Sequence, residues 1–301
     1  MAVLRLAVLL IINPASRRGL HLQAVACQAM RDAGVLFDAV LTEQPGHAAT
    51  LASTLASQYE LVLTLGGDGT AMEVIGALIS QGPPVGILPG GTGNLLARAL
   101  GIPLNVRKAI PALLNGTVTH IDLGRLQNGR HFAIGVGVGV DATMIAETSL
   151  HWKRRIGITA YVAAAARAVL RQDRFLVQVN ADGRCIERHT SMVMVANFGT
   201  LLNDLITLGE GIRYDDGILN ACLFDPLDFG DAVRIMWKLI TRDFTPDPAM
   251  DYLSGQHIGI VTDPPRLAQA DGDIIGTSPF AVVTAPLAGC IITPHRQINR
   301  Q

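Results

Sequence analysis

The sequence predicts two structural domains, an α/β domain built on a parallel sheet and, after it, a mostly antiparallel β domain. Over about the first 120 residues, short apolar runs alternate with segments of helical periodicity, the pattern of a parallel sheet covered by helices. Farther along the chain, strand-like runs follow one another between Gly, Asp and Pro turns. Hydrophobic residues make up 49% of the 301 residues and charged residues 16%, so the chain can fill two buried cores.

Strands and helices alternate along the predicted first domain. Four apolar runs predict strands, over Leu6–Ile12, Leu36–Leu41, Leu61–Leu65 and Val85–Leu88. Apolar residues at helical spacing predict helices over Leu20–Ala33, Ala48–Gln58, Ala71–Ser80 and from Asn94 to Leu100. The first run is interpreted as a strand and not as a signal peptide, because Asn13-Pro14 ends it and no small-residue cleavage site follows.

Hairpin spacing distinguishes the predicted second domain. Eight runs predict strands, over Ile121–Arg125, His131–Gly139, Phe175–Val179, Ser191–Ala196, Leu219–Phe224, His257–Val261, Arg266–Ala270 and Ala281–Thr284. Two helices, Ile158–Arg171 and Phe229–Thr241, interrupt these strands. We expect the two domains to pack directly, since no low-complexity linker occurs, and we expect no membrane span, since no apolar run reaches roughly 18 residues.

Charge and cysteine usage exclude several classes of protein. Lys and Arg number 24 and Asp and Glu 25, a balance that argues against nucleic acid as a partner. The four cysteines lie far apart, with no CxxC pair and no histidine at zinc-ligand spacing, at Cys27, Cys185, Cys222 and Cys290. Reduced thiols are therefore expected rather than disulfides or zinc, in a cytoplasmic protein that is at most peripheral at the inner membrane surface.

A glycine-rich turn between a strand and a helix is the strongest functional signal. Its sequence is Gly66-Gly67-Asp68-Gly69-Thr70. Glycines let a backbone approach a ligand closely, and the N–H groups of such a turn form an anion site with the positive end of the following helix. Asp68 could hold a magnesium ion, and Thr70 could cap the helix or bond a phosphate oxygen. An ordinary turn without a ligand is the alternative for a motif this short.

Two more strands of the first domain end in similar turns. The fourth strand runs into Pro89-Gly90-Gly91-Thr92-Gly93-Asn94, and the first into Asn13-Pro14-Ala15-Ser16. Open α/β sheets bind ligands at the carboxyl ends of their parallel strands. Three such turns together predict a nucleotide site.

These turns occur in a recognisable order along the chain. Together with later segments they resemble the diacylglycerol kinase catalytic family, and specifically its bacterial YegS-like lipid kinases. The later segments are Gly139-Val140-Asp141-Ala142, Asn197, Asp215-Asp216-Gly217-Ile218-Leu219 and Asp271-Gly272-Asp273. The resemblance covers almost the whole chain, and the ordered set is more specific than any one member.

The resemblance implies a fold and a reaction. The fold is a phosphofructokinase-like nucleotide domain over residues 1–122 and a β-rich lipid-substrate domain over residues 123–290, with the active site in the cleft between them. The tail of about residues 291–301 would return to the first domain. The implied reaction transfers the γ-phosphoryl group of ATP, with Mg²⁺, to the hydroxyl group of a lipid at the membrane surface.

The resemblance also implies roles for individual residues. The nucleotide would be contacted by Asn13, Thr42, Gly66, Gly67, Asp68, Gly69, Thr70, Ala71, Met72, Gly91, Thr92 and Asn94. Asp271 would be the general base, and a magnesium site would use Asp216 with the backbone carbonyls of Arg213 and Ile218. A carboxylate that accepts the proton of a lipid hydroxyl also orients it for in-line attack, which suits Asp271 without any family argument.

Plainer interpretations of the two carboxylate turns stay open. Asp-Gly is a common hairpin signal, and Asp271-Gly272 lies between two predicted strands. The turn at Asp216 could likewise be an ordinary solvated turn, although carboxylates and carbonyls also suit an oxygen-loving cation.

The sequence departs from the family pattern at three positions, and the variation at Leu95, which is closer to sphingoid and ceramide kinases, leaves the acceptor open. Met72 stands where the family usually has Asn, Leu95 where the bacterial enzymes have an acidic residue, and Asp273 where Glu is usual. Diacylglycerol, phosphatidylglycerol, ceramide and a sphingoid base all present a suitable hydroxyl. The alternatives in function are an enzyme like NAD kinase, which also has a Gly-Gly-Asp-Gly turn, and a lipid- or nucleotide-binding protein that has lost catalysis.

A basic segment suggests how the protein could reach a bilayer. His151-Trp152-Lys153-Arg154-Arg155 precedes the predicted helix Ile158–Arg171, and a Trp beside three cations suits a membrane surface. A solvated basic face is the alternative. Unpaired strands of the β domain could form a homodimer.

Overall fold

The computed structural model describes residues 7–79, 82–139, 174–201 and 205–295. Two compact units make up the structure: an N-terminal unit that ends at Ile121 and takes in the chain from Leu287 onward, and a C-terminal unit from Asp122 to Pro286. The first holds a parallel sheet with helices and the second is mostly antiparallel, which confirms the predicted fold class. The predicted helix Ile158–Arg171 and the segment His151–Arg155 lie outside the described residues.

The N-terminal unit contains four parallel strands with their helices, and a strand from farther along the chain, described below, adds to the same sheet. The strands are β1 (Ala7–Ile12), β2 (Leu36–Leu41), β3 (Leu61–Gly66) and β4 (Val85–Pro89), in the order β2-β1-β3-β4. The helices are α1 (Gly19–Asp32), α2 (His47–Leu55), α3 (Asp68–Ala77), α4 (Leu95–Ala99) and α5 (Val106–Leu114), and a 3₁₀ turn (Ala56–Gln58) extends α2. Strands β3 and β4 are buried throughout, as continuous apolar runs in parallel sheets are, whereas β2 is the half-exposed edge.

The predicted strands and helices of this unit are found within a few residues of their expected bounds. Helix α3 begins at Asp68 and not at Ala71, because Gly67 alone separates it from β3. Helix α5 was not predicted, since Pro111 lies inside it and weakens the helical signal. Its start is nevertheless well defined, because the side chain of Asn105 accepts a hydrogen bond from the N–H of Arg107.

The C-terminal unit contains two larger antiparallel sheets around one core, and a separate sheet of two short strands. Its strands are β5 (Thr117–Leu126, shared with the first unit), β6 (His131–Phe132), β7 (Gly135–Gly139), β8 (Phe175–Ala181), β9 (Arg184–Thr190), β10 (Met192–Ala196), β11 (Thr200–Leu201), β12 (Ile206–Thr207), β13 (Leu219–Phe224), β14 (Met250–Gly255), β15 (His257–Asp263), β16 (Leu267–Ala270), β17 (Asp273–Thr277) and β18 (Phe280–Thr293). One sheet has the order β14-β13-β10-β7-β16-β17, and β18, β15, β8 and β9 pair in the other. The single described helix of this unit is α6 (Phe229–Thr241), as predicted.

Alternating burial along the strands explains this sandwich. In β8, every second residue from Phe175 to Ala181 is buried, and the residues between them are more exposed. The buried side chains join those of the other sheet, among them Val193 and Leu219, in one hydrophobic cluster. Strands β9, β14 and β17 were not predicted, because polar residues and glycines break up their apolar pattern.

The last strand, β18, serves both units. Its first part, Phe280–Val283, pairs with β15 in the C-terminal unit. Its last part returns to the N-terminal unit, where Ile291 lies beside Val85 of β4 in a parallel pairing. The prediction Ala281–Thr284 therefore covered only the beginning of a much longer strand.

Among the described helices, none has the length and the apolar character that crossing a lipid bilayer requires.

Candidate active site

The three predicted turns meet at the carboxyl edge of the parallel sheet. The side-chain amide of Asn13 donates a hydrogen bond to Oγ1 of Thr70 at 2.9 Å, which links the end of β1 to α3. The N–H of Gly90 donates to the carbonyl of Gly66 at 2.8 Å, and the N–H of Arg18 donates to the carbonyl of Gly90 at 3.2 Å. The structure thus brings together the residues that the sequence placed on three separate strand ends.

The two glycine turns touch through their backbones. A Cβ atom on Gly91 would lie 2.6 Å from Cα of Gly67, and one on Gly90 would lie 3.3 Å from the backbone N and O of Gly66. A Cβ atom on Gly66 would lie 2.7 Å from the side chain of Thr70. These contacts require glycine at several positions of the two turns, so the glycines do more than permit sharp bends.

Asp68 has a structural partner that the sequence did not reveal. Its Oδ1 accepts a hydrogen bond from the N–H of Leu96 at 2.9 Å, so the carboxylate caps the first turn of α4. Burial raises the pKa of Asp68, and the hydrogen bonds from the N–H groups of Leu96 and Leu95 and the charge of Arg98 oppose that shift. One oxygen of the carboxylate is therefore used within the protein, and its predicted contact with magnesium stays a prediction.

The other predicted nucleotide residues lie around these turns. Thr42 is buried at the end of β2, where its N–H bonds the carbonyl of Ile12 at 2.8 Å. Thr92 is exposed, and Asn94, with a φ of 48°, exchanges two side-chain hydrogen bonds with Gly91. Met72 is buried, so its side chain belongs to the core and offers no polar contact.

Glu73 is a residue of this region for which no role was predicted. Its Oε1 accepts a hydrogen bond from the N–H of Gly46 at 3.0 Å. That bond ties the loop after β2 to α3. The loop carries Thr42 at its start, so Glu73 helps to fix a predicted nucleotide contact.

Asp271 lies in a hairpin turn and is also firmly anchored. With φ angles of 49° and 94°, Asp271 and Gly272 form the turn between β16 and β17, so the hairpin interpretation is correct. The carboxylate accepts hydrogen bonds from three successive backbone N–H groups, those of Ala133, Ile134 and Gly135, at 2.7, 2.9 and 3.0 Å. Charge-assisted bonds of this kind hold a carboxylate in one orientation.

These bonds also explain a wrong strand prediction. The run His131–Gly139 was expected to be one strand, but the structure has β6 and β7 with a break between them. At the break, the N–H groups of Ala133 and Ile134 point to the Asp271 carboxylate and not to a neighbouring strand.

Asp122 and Asn197 form a buried polar link next to Ala133, one of the residues that hold the Asp271 carboxylate. Neither has any exposed surface. The side-chain amide of Asn197 donates to the carbonyls of Asp122 and Ala133, each at 2.7 Å, and Oδ2 of Asp122 accepts from the N–H of Gly217 at 2.6 Å. No role was predicted for Asp122, although an acidic residue inside an apolar strand is an available signal of a functional or structural partner.

The predicted magnesium residues lie at the same turn. Asp216 Oδ1 accepts a hydrogen bond from the N–H of Ile218 at 3.0 Å, and the Arg213 guanidinium pairs with Asp215 at 2.9 and 3.1 Å. Partial desolvation raises the pKa of Asp216, and the neighbouring charges of Asp122 and Asp215 raise it further. A divalent cation would relieve this crowding of negative charge.

The side chains at this turn could bind a hard cation only if backbone carbonyl oxygens supplied some of the ligands. The structure groups no three His, Cys, Asp or Glu side chains in metal-binding geometry within its described ranges. A cation here would therefore depend on the Asp216 carboxylate together with main-chain carbonyls, the kind of ligands that Mg²⁺ and Ca²⁺ accept.

Comparisons with known proteins cover both units. Residues 7–126 match the family described as diacylglycerol kinase catalytic domain, and residues 134–293 match the YegS C-terminal NAD kinase beta sandwich-like domain. A diacylglycerol kinase of Staphylococcus epidermidis is 26% identical over 304 residues, which cover 97% of this chain and 93% of that relative. A putative lipid kinase of Staphylococcus haemolyticus is 27% identical over 241 residues, covering 79% and 78%.

Two further matches concern a longer relative and a solved structure. An uncharacterized protein of Synechocystis is 27% identical over 237 residues, and the match spans 77% of this chain but only 54% of that protein. The chain thus covers about half the length of that relative. The crystal structure of a putative diacylglycerol kinase from Bacillus anthracis superposes with a TM-score of 0.77 at 23% identity, over 96% of this chain and 95% of that one, and therefore shares its fold.

The matched domains settle the family and the class of enzyme. The catalytic-domain match covers the three turns at the strand ends, and the sandwich match covers Asp216 and Asp271. The predicted class, a lipid kinase, is thereby confirmed at the level of the family. The chain belongs to the diacylglycerol kinase catalytic family.

Proposed function

We propose that the protein transfers the γ-phosphoryl group of ATP to the primary hydroxyl group of a lipid. The observation that carries the nucleotide part is the backbone contact between the turns at Gly66-Gly67 and Gly90-Gly91. The two glycine turns lie side by side at the carboxyl edge of a parallel sheet. Because their glycines have no side chains, their backbones can approach the phosphate groups of a nucleotide closely. The lipid part is supported by the family and by the relatives named for lipid kinase activity.

In the proposed complex the phosphates lie at the start of α3. Its first N–H groups, from Asp68 onward, have no partner inside the helix, and the helix dipole makes this end positive. The turn Gly91–Asn94 would supply further N–H groups. The hydrogen bond from Asn13 to Thr70 holds the turn after β1 against the start of α3. The anion site is therefore formed before the nucleotide binds.

Asp271 is the proposed general base. The lipid hydroxyl gives its proton to the Asp271 carboxylate as its oxygen forms a bond to the γ-phosphorus. The bond from that phosphorus to the β–γ bridging oxygen breaks, and ADP leaves with the electron pair. The N–H groups of Ala133, Ile134 and Gly135 hold the carboxylate in place, which fixes the position to which the hydroxyl must come.

The proposed magnesium site has a supporting role. Asp216, with the carbonyls of Arg213 and Ile218, would hold the ion. Bound Mg²⁺ would offset negative charge there, which the crowding of Asp216 by Asp122 and Asp215 favours. The acceptor is a lipid hydroxyl beside acyl chains, and diacylglycerol is the first to test because a relative is named for it.

A second Asp-Gly turn provides a matched control for Asp271. Asp182 and Gly183 have φ angles of 49° and 87°, and the Asp182 carboxylate accepts hydrogen bonds from the N–H groups of Gln256 and His257 at 2.7 and 3.0 Å. Asp182→Asn therefore repeats the chemistry of Asp271→Asn, at a turn to which we assign no catalytic role. Its effect on folding should be similar and its effect on turnover absent.

The experiment follows labelled phosphate from Mg-ATP into a panel of lipids in mixed micelles. The panel holds diacylglycerol, phosphatidylglycerol, ceramide and a sphingoid base, with NAD as a non-lipid acceptor. We expect label in one lipid, with turnover reduced by at least about 100-fold in Asp271→Asn and unchanged in Asp182→Asn. Label in NAD alone, or equal activity of the two variants, would overturn the proposal.

A further inference from the structure

Helix α6 carries apolar side chains on two different sides. One side faces the core of its unit and contains Ala232, Ile235 and Leu239, all buried. Phe229, Val233 and Trp237 lie four residues apart, so they share another face of the helix. An ordinary amphipathic helix would have polar residues there.

This second apolar face is exposed. Trp237 is 64% exposed, Phe229 54% and Val233 37%, and Leu227, just before the helix, is 61% exposed. We call these four residues the apolar stripe. No other Phe, Trp or Tyr side chain is exposed in the ranges that the structure describes.

The structure fixes the stripe in place. The helix is capped by Asp228, whose Oδ1 accepts a hydrogen bond from the N–H of Asp231 at 2.8 Å. Oδ2 of Asp231 in turn accepts from the N–H of Leu227 at 3.0 Å, which ties the residue before the helix to its first turn. Little conformational freedom is left for a partner to remove, and this favours binding by the stripe.

The charged residues of α6 are engaged within the protein. Arg234 pairs with Asp231 at 2.7 Å and with Asp247 at 2.9 Å. Lys238 donates hydrogen bonds to the carbonyl and the hydroxyl of Thr245 at 2.9 and 2.7 Å. Both cations are paired within the protein, so the exposed apolar side chains are the main feature of this face of the helix.

The size of the stripe favours a lipid surface over a second copy of the chain. Its four side chains expose roughly 400 Å² of surface, whereas a stable protein interface buries about 800 Å² on each partner. A shallow insertion of a few aromatic and aliphatic side chains is enough for reversible binding at a bilayer interface, and Trp is enriched there.

We propose that the apolar stripe inserts into the surface of the bilayer that holds the lipid acceptor. This inference rests on the proposed function, because a lipid kinase has to reach an acceptor with long acyl chains in a membrane. It names a contact surface different from the basic segment at Lys153, and it requires binding to neutral lipid as well as to anionic lipid.

The test uses the two tryptophans of the chain as separate reporters. Trp152→Phe leaves Trp237 as the only tryptophan, and Trp237→Phe leaves Trp152. Each protein is mixed with phosphatidylcholine vesicles without ATP, and its emission and its quenching by brominated acyl chains are measured. We expect a blue shift and quenching for Trp237, with binding unchanged by about 0.5 M salt.

A second set of variants measures the contribution of the stripe. Trp237→Ser should lower partition into phosphatidylcholine vesicles by roughly tenfold or more. Leu20→Ser is the matched control, because Leu20 is exposed to the same degree, 67%, but lies on helix α1 of the other unit. Transfer of phosphate to a lipid in vesicles should fall in Trp237→Ser, and transfer to a short-chain, water-soluble acceptor should not.

The outcomes separate this inference from the proposed reaction. Trp237 insertion without any phosphorylated lipid would support the stripe and count against the lipid kinase function. A phosphorylated lipid with unaltered Trp237 emission would overturn the stripe alone. Two other results would overturn the proposed insertion of the stripe. One is that acrylamide fails to quench Trp237 before vesicles are added, and the other is that Trp237→Ser converts a dimer into a monomer in sedimentation.

Discussion

Gly91 offers the sharpest test of how the two glycine turns support nucleotide binding. In Gly91→Ala the new Cβ atom would lie 2.6 Å from Cα of Gly67, and ordinary contacts begin at 3.4 Å. The two turns must therefore separate by about 0.8 Å, and because both sides of the contact are backbone, no side chain can rotate away. We expect a loss of about 1 to 3 kcal/mol in stability, typical of overpacking. A displacement near 1 Å at the phosphate site should also weaken ATP binding and lower the rate of phosphoryl transfer by up to roughly 100-fold.

Two other glycines serve as controls for this substitution. Gly76 lies inside α3 with open space around it, so Gly76→Ala should raise stability by about 0.5 to 1 kcal/mol through helix propensity. On Gly67 a Cβ atom would meet Cα of Gly91 at an ordinary 3.6 Å, so Gly67→Ala should cost only the roughly 1 kcal/mol of a poorer helix cap. Urea unfolding and ATP titration calorimetry measure the two effects. The reasoning is refuted if Gly91→Ala is as stable as Gly76→Ala and binds ATP like the unmodified protein.

Three further predictions concern the C-terminal unit. Hydrogen bonding to Arg234 lowers the pKa of Asp247, so this carboxylate stabilises the fold above about pH 4, and the contribution is lost as the pH falls through the lowered value. Urea unfolding between about pH 5 and pH 2 should therefore show a smaller loss of stability on acidification in Arg234→Gln than in the unmodified protein. Burial raises the pKa of Cys222 to about 12, so a thiol reagent should label exposed Cys185 first and Cys222 only on unfolding, as peptide mapping would show. Asn197→Ala removes both donors of the buried link and should cost about 2 to 4 kcal/mol in stability, and a value below about 1 kcal/mol from urea unfolding would contradict the role of the link.

Much of the fold follows from local patterns in the sequence. Strands β3 and β4 are uninterrupted apolar runs between turn residues, so their positions could be predicted closely. Helix α6 was predicted over its full length, although the sequence did not indicate which of its apolar residues would stay exposed. Strand β14 escaped prediction, since it is stabilised by pairing with β13 rather than by its own composition.

The individual turns of the candidate site could be predicted from the sequence, but the contacts between them could not. The turn at Gly66 and the Asp271-Gly272 turn could be recognised from residue types at fixed spacing. The contact of Gly67 with Gly91 and the anchor of Asp271 on Ala133 could not, because the partners are far apart in sequence and meet only after the strands pair. The importance of Asp122 likewise depends on a neighbour, Gly217, that only the fold supplies.

Strand β18 has a consequence for the order in which this protein can be completed during synthesis. The parallel sheet of the N-terminal unit receives its last neighbour when Ile291 reaches Val85, after roughly 200 further residues have been translated. At typical elongation rates, β4 stays an unpaired edge for on the order of 10 to 40 s, and unpaired edges are where strands of other chains attach. A nascent chain stalled before Ile291 should therefore aggregate through β4, and we expect its dependence on chaperones to fall once β18 has left the ribosome.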